Sequence, residues 1–203
     1  LGFFGHYDKT CYFDRCGVNT RHSMIGDDLQ PKADDSDICK QLRAKYIQPR
    51  LWDKPYVFIP LQDETDTQVT QYSPFKTMDE FVHHIYDIYR FENLDILYKV
   101  HPMAKTTITL TAPNVFAVSE NVHHYIPYAT TVFGLNSTVM VETLMYHSRM
   151  VTYGCGLASR HFTDKVDREA FVAEMYRRQL KWDDLRSASK VRASHLGTIL
   201  DCI

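Results

Sequence analysis

The sequence predicts an α/β fold: a Rossmann-like parallel sheet with flanking helices. From Pro55 onward, short apolar runs rich in β-branched and aromatic residues alternate with amphipathic stretches. Strands that alternate with helices pair in parallel, because right-handed crossovers return each strand to the same sheet. The length of 203 residues suffices for one such domain with a sizeable core.

The first fifty residues differ from the rest of the chain. Residues 1–50 show weak periodicity and many polar groups, and one helix is predicted there, over DICKQLRAKYI (37–47). We therefore divide the chain into this loop-rich segment and a Rossmann-like domain over residues 51–203. Four polar residues of the segment could line a cleft or belong to an ordinary surface loop: Asp14, Arg15, Asn19 and Arg21.

The regular pattern begins with YVFIPL (56–61), a short apolar run that predicts a strand. The stretch TMDEFVHHIYDIYRF (77–91) predicts a helix that begins with a capping box of Thr77 and Glu80. Its apolar side is predicted from residues at helical spacing: Phe81, Ile85, Ile88 and Tyr89.

The remaining elements continue the alternation. Strands are predicted at DILYKV (95–100), TTVFGL (130–135) and RMVTYG (149–154). Short strands or extended links are predicted at TITL (107–110) and NVFAVS (114–119). Helices are predicted at NVHHYIPYA (121–129), STVMVETLMYH (137–147) and DREAFVAEMYRRQLKW (167–182). For the last helix we expect Asp167 as the N-cap and an apolar side made of Phe171, Met175 and Leu180.

Composition excludes several function classes. Hydrophobic residues at 44% and charged residues at 24% are typical of a soluble globular protein, and no uncharged apolar run approaches the ~20 residues of a membrane span. The net charge of -2 gives no field that would gather nucleic acid, so an anionic ligand needs a local site. The five cysteines are widely spaced without a C-x-x-C pair, which predicts reduced thiols in a cytoplasmic protein.

Ligands of open α/β sheets bind beyond the carboxyl ends of the strands, so the loops at that edge are the candidates. In LNSTVMVETL, Asn136 or Ser137 is placed to cap a helix whose first N–H groups could hold a phosphate. Glu142, in the same helix, could accept hydrogen bonds from sugar hydroxyls. The alternative is an ordinary cap and a solvated glutamate.

A second candidate loop is YKVHPMAK (98–105). Pro102 forces His101 into extended geometry, so the imidazole projects from the strand end and could donate to a phosphate, with Lys99 and Lys105 adding positive charge. The alternative is that Pro102 only ends the strand, His101 satisfies a buried carbonyl and the lysines face water.

The third loop, QDETDTQ, crowds Asp63, Glu64 and Asp66 together. Such carboxylates can act as acid, base or nucleophile, or form a polar turn; a metal site is disfavoured because the spacing of a calcium loop is missing. The histidine pairs at 83–84 and 123–124 are predicted to be partly exposed helix residues, because adjacent side chains diverge by about 100° and cannot chelate one ion.

Three stretches occur in order over residues 56–156: FIPLQDETDTQV, YKVHP and GLNSTVMVETLMYHSRMVTYGCG. In this order they resemble the motifs of the bacterial capsule polysaccharide Kdo transferases, which transfer 3-deoxy-D-manno-oct-2-ulosonic acid (Kdo) from CMP-Kdo. The matching positions are Leu61, Gln62 and Asp66, then His101 and Pro102, then Ser137, Thr138 and Glu142.

The resemblance implies a glycosyltransferase B fold, with two Rossmann-like lobes and the nucleotide between them. The chain is too short for both lobes and starts at Leu1, so we expect a nucleotide-sugar-binding lobe with pieces of the other and expect part of the natural protein to lie outside this sequence. It further implies a cytoplasmic enzyme, and leaves open a peripheral association with the inner membrane. The partners implied are a nucleotide-sugar donor and a saccharide or glycolipid acceptor, without nucleic acid, metal or cofactor.

By the same resemblance, the donor phosphate is held by His101 and the helix start at Ser137 and Thr138, while Glu142 approaches the ribose. Pro102, Lys99 and Asn136 complete the predicted nucleotide site. The predicted catalytic residues are Asp66, His101 and Gln62. Asp66 faces the anomeric carbon as the nucleophile of a retaining transfer, with Asp63 as the alternative carboxylate. Two other functions stay open: a transferase using another nucleotide sugar or a CDP-polyol, and a noncatalytic nucleotide-sugar-binding or scaffolding domain.

Overall fold

A computed structural model describes residues 10–14, 16, 22–26, 29–146, 149–162 and 164–200, without the side chains of residues 198 and 200. Two compact units are present: one spans residues 43–159, and the other combines residues up to 42 with those from 160 onward. No helix within the described ranges has the length and apolarity that a membrane span requires. The predicted division at residue 50 into a segment and a lobe stays a prediction.

The described residues form seven strands and seven α-helices. The strands are β1 (Thr10–Cys11), β2 (Tyr56–Pro60), β3 (Asp95–Lys99), β4 (Val115–Ala117), β5 (Thr131–Gly134), β6 (Met150–Thr152) and β7 (Leu180–Lys181). The helices are α1 (Asp35–Tyr46), α2 (Thr67–Thr70), α3 (Met78–Tyr89), α4 (Thr138–Thr143), α5 (Lys165–Arg177), α6 (Ala188–Ala193) and α7 (His195–Leu200).

The unit of residues 43–159 is built on a five-stranded parallel sheet in the order β4-β3-β2-β5-β6. All five residues of the central strand β2 are buried. This sheet confirms the predicted α/β class. Of the two segments predicted as short strands or extended links, the one at 114–119 contains β4, whereas 107–110 contains no strand. The helix predicted at 121–129 is two 3-10 turns, Val122–His124 and Ile126–Tyr128.

One face of the sheet packs against α3. Val57 and Ile59 point to this face and share a buried cluster with Phe81 and Ile85 of the helix. The predicted capping box is confirmed: the Thr77 side chain accepts from the backbone of Glu80, whose carboxylate bonds back to the Thr77 N–H. The predicted apolar side is wrong at Ile88, which is 48% exposed, whereas Tyr89 packs against the cluster as predicted.

The opposite face carries α4 and the two 3-10 turns. Side chains alternate along a strand, so Phe58 points away from Val57 and stacks on Tyr125, with 5.5 Å between the ring centroids. Gly134 lets α4 approach β5 closely: a Cβ there would lie 2.3 Å from the sulfur of Met140. Helices therefore lie on both faces of the sheet, as expected for a Rossmann-like domain.

The other unit contains α5, which begins earlier than predicted. Asp164 is its N-cap and accepts from the N–H of Asp167, so the prediction of Asp167 as the cap was wrong. Leu180 does not extend the apolar side of this helix, because the chain leaves the helix at Arg178 and Leu180 pairs with Cys11 in the β1–β7 ribbon.

Four polar residues near the start were predicted either to line a cleft or to belong to a surface loop. Only Asp14 is within the described ranges; Arg15, Asn19 and Arg21 lie outside them. The Asp14 carboxylate is buried, where it accepts from the Ser23 hydroxyl at 2.5 Å and from the Cys16 N–H at 2.8 Å. These bonds tie Asp14 to Cys16 and Ser23 within this unit.

Candidate functional site

The topology of the sheet selects one crevice for a ligand. The chain moves from β2 outward to β3 and β4 on one side, and then from β5 outward to β6 on the other. At such a switch point the loops leaving the two central strands diverge, and the space beyond their carboxyl ends is open to a ligand. The loops that follow β2 and β5 contain the predicted residues Gln62 and Asn136–Thr138.

Gln62 and Asn136 tie these two loops together. The Gln62 side-chain oxygen accepts from the Asn136 N–H at 2.8 Å, and the Asn136 amide donates to the Gln68 carbonyl at 3.0 Å. Both side chains are buried. Gly154, after β6, must be small because a Cβ there would lie 2.1 Å from the Asn136 side-chain oxygen. Gln62 and Asn136 thus hold the loops after β2 and β5 together at the carboxyl edge of the sheet.

The three carboxylates of the acidic loop after β2 differ in their hydrogen-bond contacts. Glu64 is engaged in structure, since its carboxylate accepts from the Met78 N–H at 2.6 Å at the start of α3. Asp66 is exposed and is the N-cap of α2, accepting from the Gln68 N–H at 2.8 Å. Asp63 accepts from the backbone and hydroxyl of Thr65 at 2.9 and 2.8 Å. Each carboxylate therefore has a turn or cap contact.

His101 lies at the same edge, beside the acidic loop. β2 and β3 run in register with Pro60 opposite Lys99, so the loops that follow them start side by side. The two hydrogen bonds from Thr65 lower the pKa of Asp63, and the charge of His101 lowers it further. His101 is exposed, and its Nδ1 accepts from the Met103 N–H at 3.2 Å, so Nε2 is the nitrogen that can bond to a ligand.

The two lysines beside His101 differ in their contacts. The Lys99 ammonium donates to the carbonyl of Ser119, in the loop after β4. Lys105 is exposed, as is Pro102. The structure therefore places Lys99 against the neighbouring loop, while His101 and Pro102 reach the open edge.

On the other side of Gln62, α4 begins with Ser137 as its N-cap. The Ser137 hydroxyl accepts from the Val139 N–H at 3.2 Å. A hydroxyl accepts and donates at once, so this cap can still donate its proton to an anion. Thr138 is the first residue of the helix and is exposed. No group of three or more potential metal ligands converges within the described residues.

Glu142 lies in a polar cluster that the sequence did not predict. The His123 Nε2 is 3.5 Å from a Glu142 carboxyl oxygen, and the His123 Nδ1 is 2.9 Å from the Tyr146 hydroxyl. Burial raises the pKa of Glu142 to about 8 and lowers that of His123 to about 4. Both groups are therefore neutral near pH 7.

The prediction of partly exposed helix histidines is confirmed for His83 and His84 on α3 and is wrong for His123. His123 is 8% exposed and lies in a 3-10 turn capped by the Asn121 side chain. His124, its neighbour, is partly exposed and bonds to the Pro49 carbonyl at 2.7 Å. No spacing signal connects His123 with Glu142, because the two residues lie in different elements separated by β5.

Comparison with known proteins places the chain in a family. The family model described as capsule polysaccharide biosynthesis protein matches residues 37–159, more than half of the chain. The chain belongs to this capsule polysaccharide biosynthesis family. The matched range contains the whole five-stranded sheet and every predicted site residue, from Gln62 to Glu142.

Solved structures share the fold of this capsule-family chain. KpsC of Thermosulfurimonas dismutans, beta Kdo 2,7 transferase, is 21% identical, with a TM-score of 0.60 over 85% of this chain and 65% of that chain. KpsC of the same organism, beta Kdo 2,4 transferase, is 13% identical, with a TM-score of 0.55 over 81% and 64%. The capsule-family chain thus spans less than two thirds of the length of each. None of the curated proteins matches it.

Proposed function

We propose that this chain is a glycosyltransferase domain of capsule polysaccharide biosynthesis that transfers an acidic sugar, Kdo from CMP-Kdo, with retention of configuration. The observation that carries the proposal is the carboxyl edge of a capsule-family sheet, where the loops of His101 and Asp63 meet beside the switch point bridged by Gln62 and Asn136. The shared fold with two Kdo transferases supports the choice of sugar.

The nucleotide would be bound along this edge. The His101 Nε2 and the Ser137 hydroxyl are the donors proposed for the phosphate, with the first turn of α4 beginning at Thr138. Glu142 would accept from ribose hydroxyls. Gln62 and Asn136 hold the loops in place, and Lys99 adds its charge from the end of β3. Donors aimed at the leaving phosphate stabilise the charge that develops there.

Asp66 is the proposed nucleophile, with Asp63 as the alternative. Its carboxylate attacks the anomeric carbon while the bond to the phosphate oxygen breaks, and CMP leaves with the electron pair. The acceptor hydroxyl then attacks the same carbon, loses its proton to a base and expels the carboxylate. Two displacements at one carbon give net retention.

The proposal requires no metal or cofactor, because His101 and Ser137 act at the phosphate. The proposed partners are a CMP-sugar donor and a saccharide or glycolipid acceptor, without nucleic acid. The proposed location is the cytoplasm, and a peripheral association with the inner membrane stays open. Transfer that persists unchanged in excess EDTA is expected. Loss of transfer on chelation, restored by a divalent cation, would contradict this part of the proposal.

Calorimetric titration tests the donor. CMP should bind, and His101→Ala should weaken CMP binding by about tenfold or more, because a charge-assisted hydrogen bond to the phosphate is lost. His83→Ala is the matched control, since His83 is a partly exposed histidine on α3. Binding of UDP without CMP would refute the Kdo assignment and support another nucleotide sugar.

Transfer from CMP-Kdo tests the chemistry. Asp66→Ala should retain CMP binding and lose transfer. The structure also favours a second function, a noncatalytic binding domain, because every carboxylate of the acidic loop has a turn or cap contact. CMP binding without transfer in the native chain would support that function. Equal small effects of Asp66→Ala and His101→Ala on a measured transfer rate would refute the assignment of roles.

A further inference from the structure

The cluster around His123 connects a nearly buried carboxyl group to a fixed aromatic frame. The imidazole stacks on the ring of Tyr46, with 5.2 Å between the centroids, and its Nδ1 contacts the Tyr146 hydroxyl at 2.9 Å. Its Nε2 faces Glu142 at 3.5 Å. The ring is therefore held on one face and at one nitrogen, and the other nitrogen is directed at the carboxyl group.

The contact leaves part of the carboxyl group available. His123 faces Oε2 of Glu142, so Oε1 is the oxygen that can accept from a ligand. The side chain of Glu142 is 19% exposed, compared with 10% for His123, so a ligand reaches the glutamate more easily than the histidine. Side chains on a helix lean toward its N-terminus. For α4 that end lies at the carboxyl edge of the sheet, beside Ser137.

The protonation states agree with this geometry. With both groups neutral, the Glu142 carboxyl group and the unprotonated Nε2 of His123 lie 3.5 Å apart, a polar contact longer than a hydrogen bond, while the Nδ1–H points to the Tyr146 oxygen. Oε1 is then the carboxyl oxygen that remains available to a ligand as an acceptor. Without a partner at Oε2, the carboxyl group could rotate or ionise toward water.

We propose that His123 is a positioning residue that orients Glu142 so that its carboxyl group accepts a hydroxyl of the ribose of the donor nucleotide. This inference rests on the proposed function, in which Glu142 approaches the ribose. It assigns to His123, supported by Tyr46 and Tyr146, the selection of ribonucleotides over deoxyribonucleotides.

The test compares CMP with 2′-deoxy-CMP and 3′-deoxy-CMP by calorimetric titration of the whole chain. The native chain should bind CMP about tenfold tighter than at least one deoxy analogue, because a buried acceptor is left unpaired when the hydroxyl is missing. His123→Phe keeps a ring that can stack on Tyr46 but removes both nitrogens. This variant should bind CMP and the deoxy analogue with about equal affinity, chiefly because its affinity for CMP is lower.

Two further variants separate positioning from stability. His123→Gln keeps a polar group that can reach Glu142, so it should keep most of the preference for CMP over the deoxy analogue. If His123 had only a structural role, the variants would bind CMP and both analogues more weakly by the same factor. His124→Phe is the matched control, because His124 bonds to the Pro49 carbonyl and should keep the native ratio. Circular dichroism and thermal unfolding of each variant show whether it is folded.

The outcomes distinguish the inference from the proposed function. A native chain that prefers CMP, with His123→Phe and His123→Gln both keeping that preference, would overturn the inference and leave the proposed function intact. Equal binding of CMP and both analogues by the native chain would also overturn it. Failure of the native chain to bind CMP at all would refute the proposed function, and the inference with it.

Discussion

Replacement of Glu142 by glutamine should remove a pH dependence of stability between pH 6.5 and pH 8. Burial raises the pKa of Glu142 from 4.5 to about 8, so in this range the folded protein holds a proton that the unfolded chain has lost. The stability that this proton contributes is fully present below the unfolded pKa and falls as pH rises toward the folded pKa. The slope is about 1.4 kcal/mol per pH unit and declines near pH 8, which amounts to about 1.5 kcal/mol over the range.

His123 does not obscure this effect. Its pKa is lowered from 6.5 to about 4, so it is neutral in the folded protein throughout the range. Its own contribution rises slightly between pH 6.5 and pH 8 as the unfolded chain loses its last protons from this site. Because native chain and variant both contain His123, this term cancels when the two are compared.

Urea denaturation at half-unit steps of pH measures the difference. A Trp182→Phe background leaves Trp52 as the single tryptophan, and Trp52 reports on the sheet because its indole N–H donates to Asp95 at 2.9 Å. Glu120→Gln is the control, since the Tyr125 hydroxyl lowers the pKa of Glu120 to about 2 and keeps it ionised over the whole range. If the native chain and Glu142→Gln show parallel profiles from pH 6.5 to pH 8, the raised pKa of Glu142 is refuted.

Three further changes test the packing of the sheet unit by urea denaturation. Gly154→Ala should lower the free energy of unfolding by about 1–3 kcal/mol, because its Cβ would lie 2.1 Å from the Asn136 oxygen; native stability would show that the loop after β6 moves freely. Thr77→Ala should cost about 1 kcal/mol by removing the cap from the Glu80 N–H, and an unchanged midpoint would contradict the capping box. Ile88→Ser should change stability by less than about 0.5 kcal/mol, since Ile88 is 48% exposed, and a larger loss would indicate that this surface is covered.

Much of the fold could be predicted from short stretches of sequence. The strand at Tyr56–Pro60 and the helix at Met78–Tyr89 were predicted close to their bounds, because an apolar run and a capping box are signals contained within a few residues. The prediction of a helix N-cap failed where two capping residues lie close together. Asp164 and Asp167 are both plausible caps, and Asp164 is the one that caps the helix.

The candidate site was predicted only in part. The topology rule selected the loops of Gln62, His101 and Ser137, because the carboxyl ends of parallel strands meet at one edge of a sheet. It did not predict that Gln62 would bridge to Asn136, since that bond depends on β2 and β5 being neighbours. Neighbouring strands such as β2 and β5 are far apart in sequence, and no residue pattern predicts which strands pair.

The sequence by itself determined the alternation of strands and helices, the order of the three motifs and the residue types at the edge of the sheet. Only the tertiary structure decided the strand order and the pairing of His123 with Glu142. The physical reason is the range of the interactions. Backbone propensities and caps act within one turn or strand, whereas burial, which leaves both members of that pair neutral, depends on which distant elements pack together.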